Sequence, residues 1–492
     1  VDYKGKAMTT LRSQVFARLG LPILFSAAVL AGCVSVGPDY HEPDTPVPAG
    51  WHAVSGKGLA PDPPDAAFLS RWWEGFGDRE LTALVHEALQ GNLDLAIARA
   101  RIREAKARRD ISMAGFLPFL DASASVTKSD GGDGPSRSLY DASLDARWEL
   151  DLFGGTRRSV EAAQASYESS EEAFNAALVS LCAEIGINYL NLCTYRERLR
   201  VARLNAANQE ETYRLARNRY EAGLADALDL EQASSALEST RAGIPVLEDA
   251  VEACLNRLCV LTGAAPGALR ERLSKTPGLP PLPSTVALGV PADILRRRPD
   301  IRRAERELAA QSARVGIAAS DLYPKLTLNG TIQLSAERSS ELFSSGSRTI
   351  GWGPALSVPV FHWGTLKKGV EVQDALLEQA GLSYRATVLS ALEEVENAVS
   401  SYAKEAARLE NLEKAQVSAQ KAFEIAKASY ASGNTDFSRL LEAERTLLAA
   451  QDSLAQSKGS LAVSLVRLYK VLGGGWPYRP AGMEGARGAQ GS

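Results

Sequence analysis

Apolar and polar residues alternate with a period of two in three segments of this chain, large and small ones in a fourth, and apolar residues recur with a period of seven in the first of two far longer stretches. In the segment 119–128, Leu120, Ala122, Ala124 and Val126 alternate with Asp121, Ser123, Ser125 and Thr127. In 140–152, Tyr140, Ala142, Leu144, Ala146, Trp148 and Leu150 alternate with Asp141, Ser143, Asp145, Arg147, Glu149 and Asp151. Around 325–335, Leu326, Leu328, Ile332 and Leu334 stand against Lys325, Thr327, Asn329, Thr331 and Gln333, and around 351–361 large residues alternate with small ones. Strict alternation predicts strands with one apolar face.

The longer segments contain no proline, one between Pro135 and Pro245 and one between Pro359 and Pro477. Within the first, Leu178, Ile185, Leu192, Leu199, Ala206, Tyr213 and Tyr220 recur every seven residues, beside a row of Phe174, Leu181, Tyr195 and Ala202. A sustained heptad predicts a coiled-coil seam. From Gly155 to Gly223 such a helix is roughly 100 Å long at about 1.5 Å per residue. Gly223 and Gly433 supply the left-handed turn that ends each long helix, and Asp226 and Asp436 stand where the next N-cap belongs. Each segment is therefore a helical hairpin. Its return path is expected to break at Pro245 and in the proline-rich stretch 277–299, giving two stacked pieces.

The hairpins are copies. Tyr220-Glu221-Ala222-Gly223 with Asp226 and Leu230 matches Tyr430-Ala431-Ser432-Gly433 with Asp436 and Leu440 at an offset of 210, and the same offset pairs Arg257, Leu258 and Gly263 with Arg467, Leu468 and Gly473. The chain reads as a tandem duplication of a strand-strand-helix-helix unit, repeat 1 over 79–265 and repeat 2 over 297–475, with a linker at 266–296 and a tail at 476–492.

At the other end, Arg12 and Arg18 precede an apolar run from Leu19 to Leu30 that has the length of a secretory signal core. The run ends in Leu30-Ala31-Gly32-Cys33, which resembles a bacterial lipobox. That resemblance implies a signal peptide at 1–32, cleavage before Cys33 and a covalent lipid on its thiol, and Val34 in place of Asp fits delivery to the outer membrane. Seven prolines between Val34 and Ala67 make the start of the segment 33–78 an extended arm.

Composition removes other classes of function. A net charge of -4 without a basic run argues against a nucleic-acid partner. His41, His52, His86 and His362 are scattered, and no metal-ligand, phosphate-loop or nucleophile-elbow motif is present, so we expect no enzyme, no catalytic residues, no metal and no cofactor beyond the lipid. Cys193 and Cys254 lie about 30 residues before and after the first tip, at similar height on antiparallel helices, where either a disulfide or small apolar packing fits.

Ten-residue strands with one apolar face, aromatic ends and polar connections such as Ser129-Asp130-Gly131-Gly132 are the signature of a transmembrane β-barrel. In lipid every backbone group must be paired, and four strands cannot close, so the barrel must be shared between copies. Together with Cys33, Val36-Gly37-Pro38-Asp39-Tyr40 and the paired Tyr-x-x-Gly tips, these features resemble the outer-membrane factor family of TolC-like channels, in particular the lipoprotein branch of tripartite efflux systems. The resemblance implies a mainly α fold with a transmembrane β-barrel contribution. It implies a homotrimer with a twelve-stranded barrel and a twelve-helix α-barrel, anchored in the bacterial outer membrane and extending into the periplasm. Its partners would be outer-membrane lipid, a periplasmic adaptor and an inner-membrane transporter of the resistance-nodulation-division type. Counted from the tip glycines, the family's constricting acidic positions fall on Asp229 and Glu442. Arg439 stands where some relatives have an acid, one turn from Glu442 and within reach of it. Gly223, Leu224 and Ala225, with Gly433, Asn434 and Thr435, resemble the adaptor-contacting tips. The expected function is the exit duct of a small-molecule efflux pump; a type I protein-secretion channel and a structural periplasmic coiled-coil lipoprotein are the alternatives.

Overall fold

The computed structural model describes residues 35–477 apart from 53–58, 61, 63–64, 131, 133–135, 275–277 and 284–285. Cys33, the segment read as a signal peptide and most of the tail lie outside the described residues. The chain divides into two compact units, each with parts of both repeats. One comprises 35–44, Arg101–Glu171 and Arg303–Arg385; the other comprises Thr45–Ala100, Glu172–Arg302 and the chain from Ala386 onward.

The first unit is organised by a sheet of β1 (Phe119–Ser129), β2 (Arg137–Leu150), β3 (Lys325–Ala336) and β4 (Arg348–Ser357), antiparallel and adjacent in that order. The register sets Ala122 opposite Leu144, Leu144 opposite Ile332, and Ile332 opposite Ile350. Even-numbered residues therefore share one face, which collects Leu120, Val126, Leu144, Trp148, Leu328, Ile332, Trp352 and Leu356, all exposed in the single chain. The odd-numbered face is polar and internally bonded: Ser123 meets Ser143 at 2.9 Å, and Asp145 accepts from Ser143 at 2.6 Å and Thr331 at 2.6 Å. Two strand ends differ from the sequence pattern. β2 starts at Arg137 rather than 140, because its hairpin with β1 continues to the pair Ser129–Arg137. β4 stops at Ser357 rather than 361, because its partner β3 begins at Lys325, just after Pro324, and Pro359 has no N–H to bond.

In the same unit the arm packs onto helices. Val36 N–H donates to Phe153 O at 3.1 Å. The nearly buried Arg158 donates to Val36 O at 3.2 Å and to the Asp39 carboxylate at 2.7 Å, which holds that carboxyl below its usual range. Tyr40 donates to Glu305 and lies under the Arg306 guanidinium. Gly37, at φ +89°, crosses Gly316 so closely that neither backbone leaves room for a Cβ at position 37.

The second unit holds most of the helices. Those used below are α1 (Arg79–Gly91), α2 (Leu93–Ala114), α3 (Gly155–Glu221), α4 (Ala227–Thr262), α5 (Pro299–Ser320), α6 (Thr365–Ala431) and α7 (Phe437–Val471). α2, α3, α5 and α6 run on from residues of one unit into the other. α3 and α6, at the same place in the two repeats, have 67 residues each. The core of the unit gathers Trp72, Phe76, Leu81, Leu84 and Val85 with Tyr189 and Tyr469. Trp72 stacks on Tyr469 at 5.7 Å, and Asp78 both caps α1 and accepts from the buried Tyr189 hydroxyl at 2.7 Å.

Two expectations need correction. Pro245 does not divide the return path: α4 runs unbroken from Ala227 to Thr262. Its ring is exposed, so the carbonyl one turn back that loses its N–H donor can bond water. The seven-residue row in α3 also fails to stay buried. Ile185 and Leu192 are fully inside, but towards the tip the buried row passes to Asn205, Gln209, Thr212 and Ala216 while Tyr220 is 44% exposed. The neighbour there is the second hairpin, on a different side of the helix from the core packed against Ile185.

Gly37→Ala should cost about 1–3 kcal/mol of local stability, because it combines a left-handed backbone with a steric clash. The arm should become sensitive to limited proteolysis while far-UV circular dichroism stays unchanged.

Candidate functional site

The helical tips are built alike. At the first, Leu224 N–H reaches back to Arg219 O at 2.8 Å and Gly223 N–H to Tyr220 O at 2.9 Å; at the second, Asn434 N–H reaches Ser429 O at 2.9 Å and Gly433 N–H reaches Tyr430 O at 3.0 Å. Both are glycine-terminated helix ends, with φ +73° at Gly223 and +77° at Gly433. The following helices start on carboxylate caps: Asp226 accepts from Asp229 N–H at 3.0 Å, and Asp436 accepts from Arg439 N–H at 3.0 Å.

The packing around these turns is unequal. Tyr430 and Phe437 are buried edge to face at 5.4 Å, in a cluster with Ala216, Ala233, Phe423, Leu440, Leu441 and Leu447. Arg219 clamps the two tips together, donating to Tyr430 O at 3.0 Å with its guanidinium 4.8 Å from the Tyr430 ring centroid. At the same offset of 210, Ser429 stands in place of Arg219 in repeat 2, and Ala227 in place of Phe437 in repeat 1.

The geometry brings only some of the candidate gate residues together. Asp229 is partly buried in the field of Asp226 and Asp436; burial first, and those two charges next, push its carboxyl above the usual range against the opposing pull of Arg219. Arg439 is exposed and its guanidinium lies 3.9 Å from Asp436, so its ionic partner is the cap rather than Glu442, which is itself exposed. An exposed pair at that separation contributes little. In the tip triplets Leu224 is 68% exposed, Gly223, Gly433 and Asn434 are exposed, and Ala225 and Thr435 are half-buried.

Comparison with known proteins accounts for this architecture. The family model for outer membrane efflux proteins matches residues 84–264 and again 290–474, one match on each repeat. The chain belongs to the outer membrane efflux protein family. It is 34% identical over 458 residues to nodulation protein T of Rhizobium leguminosarum bv. viciae, covering 93% of this chain and 92% of that one. It is 32% identical over 461 residues to the probable outer membrane lipoprotein SilC of Salmonella typhimurium, covering 93% and 99%. Among solved structures it resembles the outer-membrane channel OprN, with a TM-score of 0.83, 37% identity, and 90% and 100% of the two chains covered. The protein is an outer-membrane efflux channel of the TolC-like fold, placed in the outer membrane and extending into the periplasm.

Sequence reasoning passed over one feature of this channel's tip. Glu444 is 2% exposed and accepts from the Thr212 hydroxyl at 3.2 Å; burial raises its carboxyl above the usual range, against that hydrogen bond and the Lys427 charge. It occupies the buried row of Phe437, Leu440 and Leu447, and a carboxylate at an apolar position of a helical seam was the signal available. The four cysteines among the described residues are buried and free. The Cys193–Cys254 bridge is not formed; burial raises the Cys193 thiol to about 12 and the Cys254 thiol to about 11. Both pack as small apolar groups.

A carboxyl whose value rises on folding binds its proton more tightly in the folded state, so its contribution is lost as pH climbs through the window above the ordinary glutamate value. Glu444→Gln should therefore raise the thermal midpoint at pH 7.5 and leave it nearly unchanged at pH 4. Melting curves at the two values check this; an equal shift at both would assign the effect to packing.

Proposed function

We propose that the channel works as a homotrimer, lipid-anchored through Cys33, and passes small molecules handed on by a periplasmic adaptor and an inner-membrane transporter. The observation that carries this reading is the sheet. It has four strands, an apolar face across all of them, and outer edges on β1 and β4 that have no strand partner among the described residues. Copies of the chain placed edge to edge satisfy both edges at once and turn the apolar faces to lipid and the polar faces to a water-filled lumen. The trimer number, the adaptor contact at Gly223-Leu224-Ala225 and Gly433-Asn434-Thr435, and the resistance-nodulation-division class of the transporter rest on the family resemblance. The lipid on Cys33 rests on the sequence of the leader.

The tips are the proposed gate. Asp229 and Glu442, repeated around a threefold axis with Arg439 and Asp436 beside them, would set like charges facing each other across a narrow lumen. The interprotomer field, rather than any single pair within one chain, would then set how tightly the tips close.

In detergent the purified protein should have the mass of a trimer by light scattering, and Cys33→Ala should keep that mass while losing the lipid in mass spectrometry. A monomer soluble without detergent would end the barrel reading. In planar bilayers, Glu442→Ala or Arg439→Ala should raise single-channel conductance about twofold or more through a loosened ring of charge; unchanged conductance in both would remove these residues from the gate.

A further inference from the structure

In the first unit three helices lie side by side in the order α2, α3, α5. Arg109 of α2 reaches Gln164 at 3.4 Å and lies over the Tyr167 ring of α3 at 5.2 Å, while Arg306 of α5 reaches Glu168 of α3 at 3.1 Å. The arm occupies one side of the α3–α5 seam, touching Arg158 and Gly316, with Tyr40 against Ala165. Another side carries a cavity of about 520 Å³, lined by Arg101 and Arg108 of α2, Ser159 and Ser166 of α3, and Arg314 of α5. Its α3 wall is a stripe of serine and alanine, turned roughly a third of a turn from the residues that hold the arm, at about 100° per residue.

The charges in this groove are not balanced. Arg108 pairs with Glu104 at 2.8 Å, and Glu104 is the one carboxylate lining the cavity. Arg314 bonds only neutral oxygens, the Gln311 amide at 3.1 Å and the Ser166 hydroxyl at 3.4 Å. Among the described residues Arg101 and Arg314 form no ion pair. Two guanidinium groups face a cavity edged by small hydroxyls, a set of donors without an anionic acceptor, and forked guanidinium donors match the oxygens of phosphate, sulfonate and carboxylate groups.

Its position gives the groove a use. Ser112 lies seven residues before β1 and Ser159 nine residues after β2, so the cavity sits within about three helical turns of the sheet. The arm holds a different side of α3 from the one that lines the groove. On the trimeric channel reading above, we propose that the groove, on the side away from the arm, faces the lumen and binds oxyanions there, the last charged surface an anionic molecule meets before the barrel, and that it biases the channel towards anions.

The test uses the whole protein in planar bilayers, comparing wild type with Arg101→Gln/Arg314→Gln and with the charge-conserving Arg101→Lys/Arg314→Lys. Chloride-to-potassium permeability is read from reversal potentials in a KCl gradient, and inorganic tripolyphosphate is the oxyanion probe. The glutamine variant should lower the permeability ratio about twofold or more and require about tenfold more tripolyphosphate for the same block, while the lysine variant keeps the ratio. A conducting glutamine variant with unchanged ratio and block would overturn the groove alone; a wild-type protein that never conducts would overturn the channel reading and the groove with it. The measurement is made in monoolein bilayers, which carry no phosphate, and in bilayers containing phosphatidylglycerol. Differences confined to the second would assign the arginines to lipid headgroups and overturn the lumenal site.

Discussion

A backbone amide inside hydrocarbon has no water to bond, and leaving it unpaired costs several kcal/mol. In this chain that constraint falls on two rows of amides, along the outer edges of β1 and β4. The sheet cannot hide its edges by curling, since four strands are too few to close, and its even-numbered face is apolar apart from Lys128, Ser138 and Arg348 near the strand ends. On the proposed trimer, a shared barrel pairs these edges, and assembly in turn multiplies every other feature around an axis. A charge at a helix tip becomes a ring, and a groove becomes a set of grooves around one lumen.

Duplication supplied the parts, and divergence of the copies gave each a surface of its own, as the proposed ring of chains needs. At the tips the second copy carries the aromatic core of Tyr430 and Phe437, while the first contributes the Arg219 clamp and leaves Tyr220 outside. At the membrane end the turn after β2 is covered by the arm, through Val36 and Phe153, whereas Phe361 and Trp363 after β4 are 71% and 86% exposed. Each copy thus presents a surface that its sister does not. Alternating, unlike surfaces are what a closed ring of identical chains requires at its internal and external joints.

The tips combine firm packing with polar groups that oppose it. Glu444 sits in the apolar row with a single hydroxyl donor, and Asp229 shares space with two other carboxylates. Neither arrangement is the most stable one available, since a buried carboxylate with one hydrogen bond is worse than a leucine in the same place. Both groups lie in the hairpin ends that we propose as the gate.

The sequence by itself determined the strands, the length of the long helices, the duplication and the tip turns. These depend on local quantities: alternation of polarity, absence of proline, and glycine where φ must be positive. Val36-Gly37-Pro38-Asp39-Tyr40 was visible as a motif, but its purpose was not, because the reason for Gly37 is Gly316, far along the chain. The row of Phe437, Leu440 and Leu447 already marked Glu444 rather than Glu442 as the seam position, whereas tertiary structure alone decided that Thr212 is its donor and that Arg439 turns to Asp436. It also decided that Pro245 is tolerated, since its ring faces solvent. Spacing along a helix gives every residue a direction, but what lies in that direction is set by packing between segments hundreds of residues apart. One-dimensional periodicity carries no record of that neighbour.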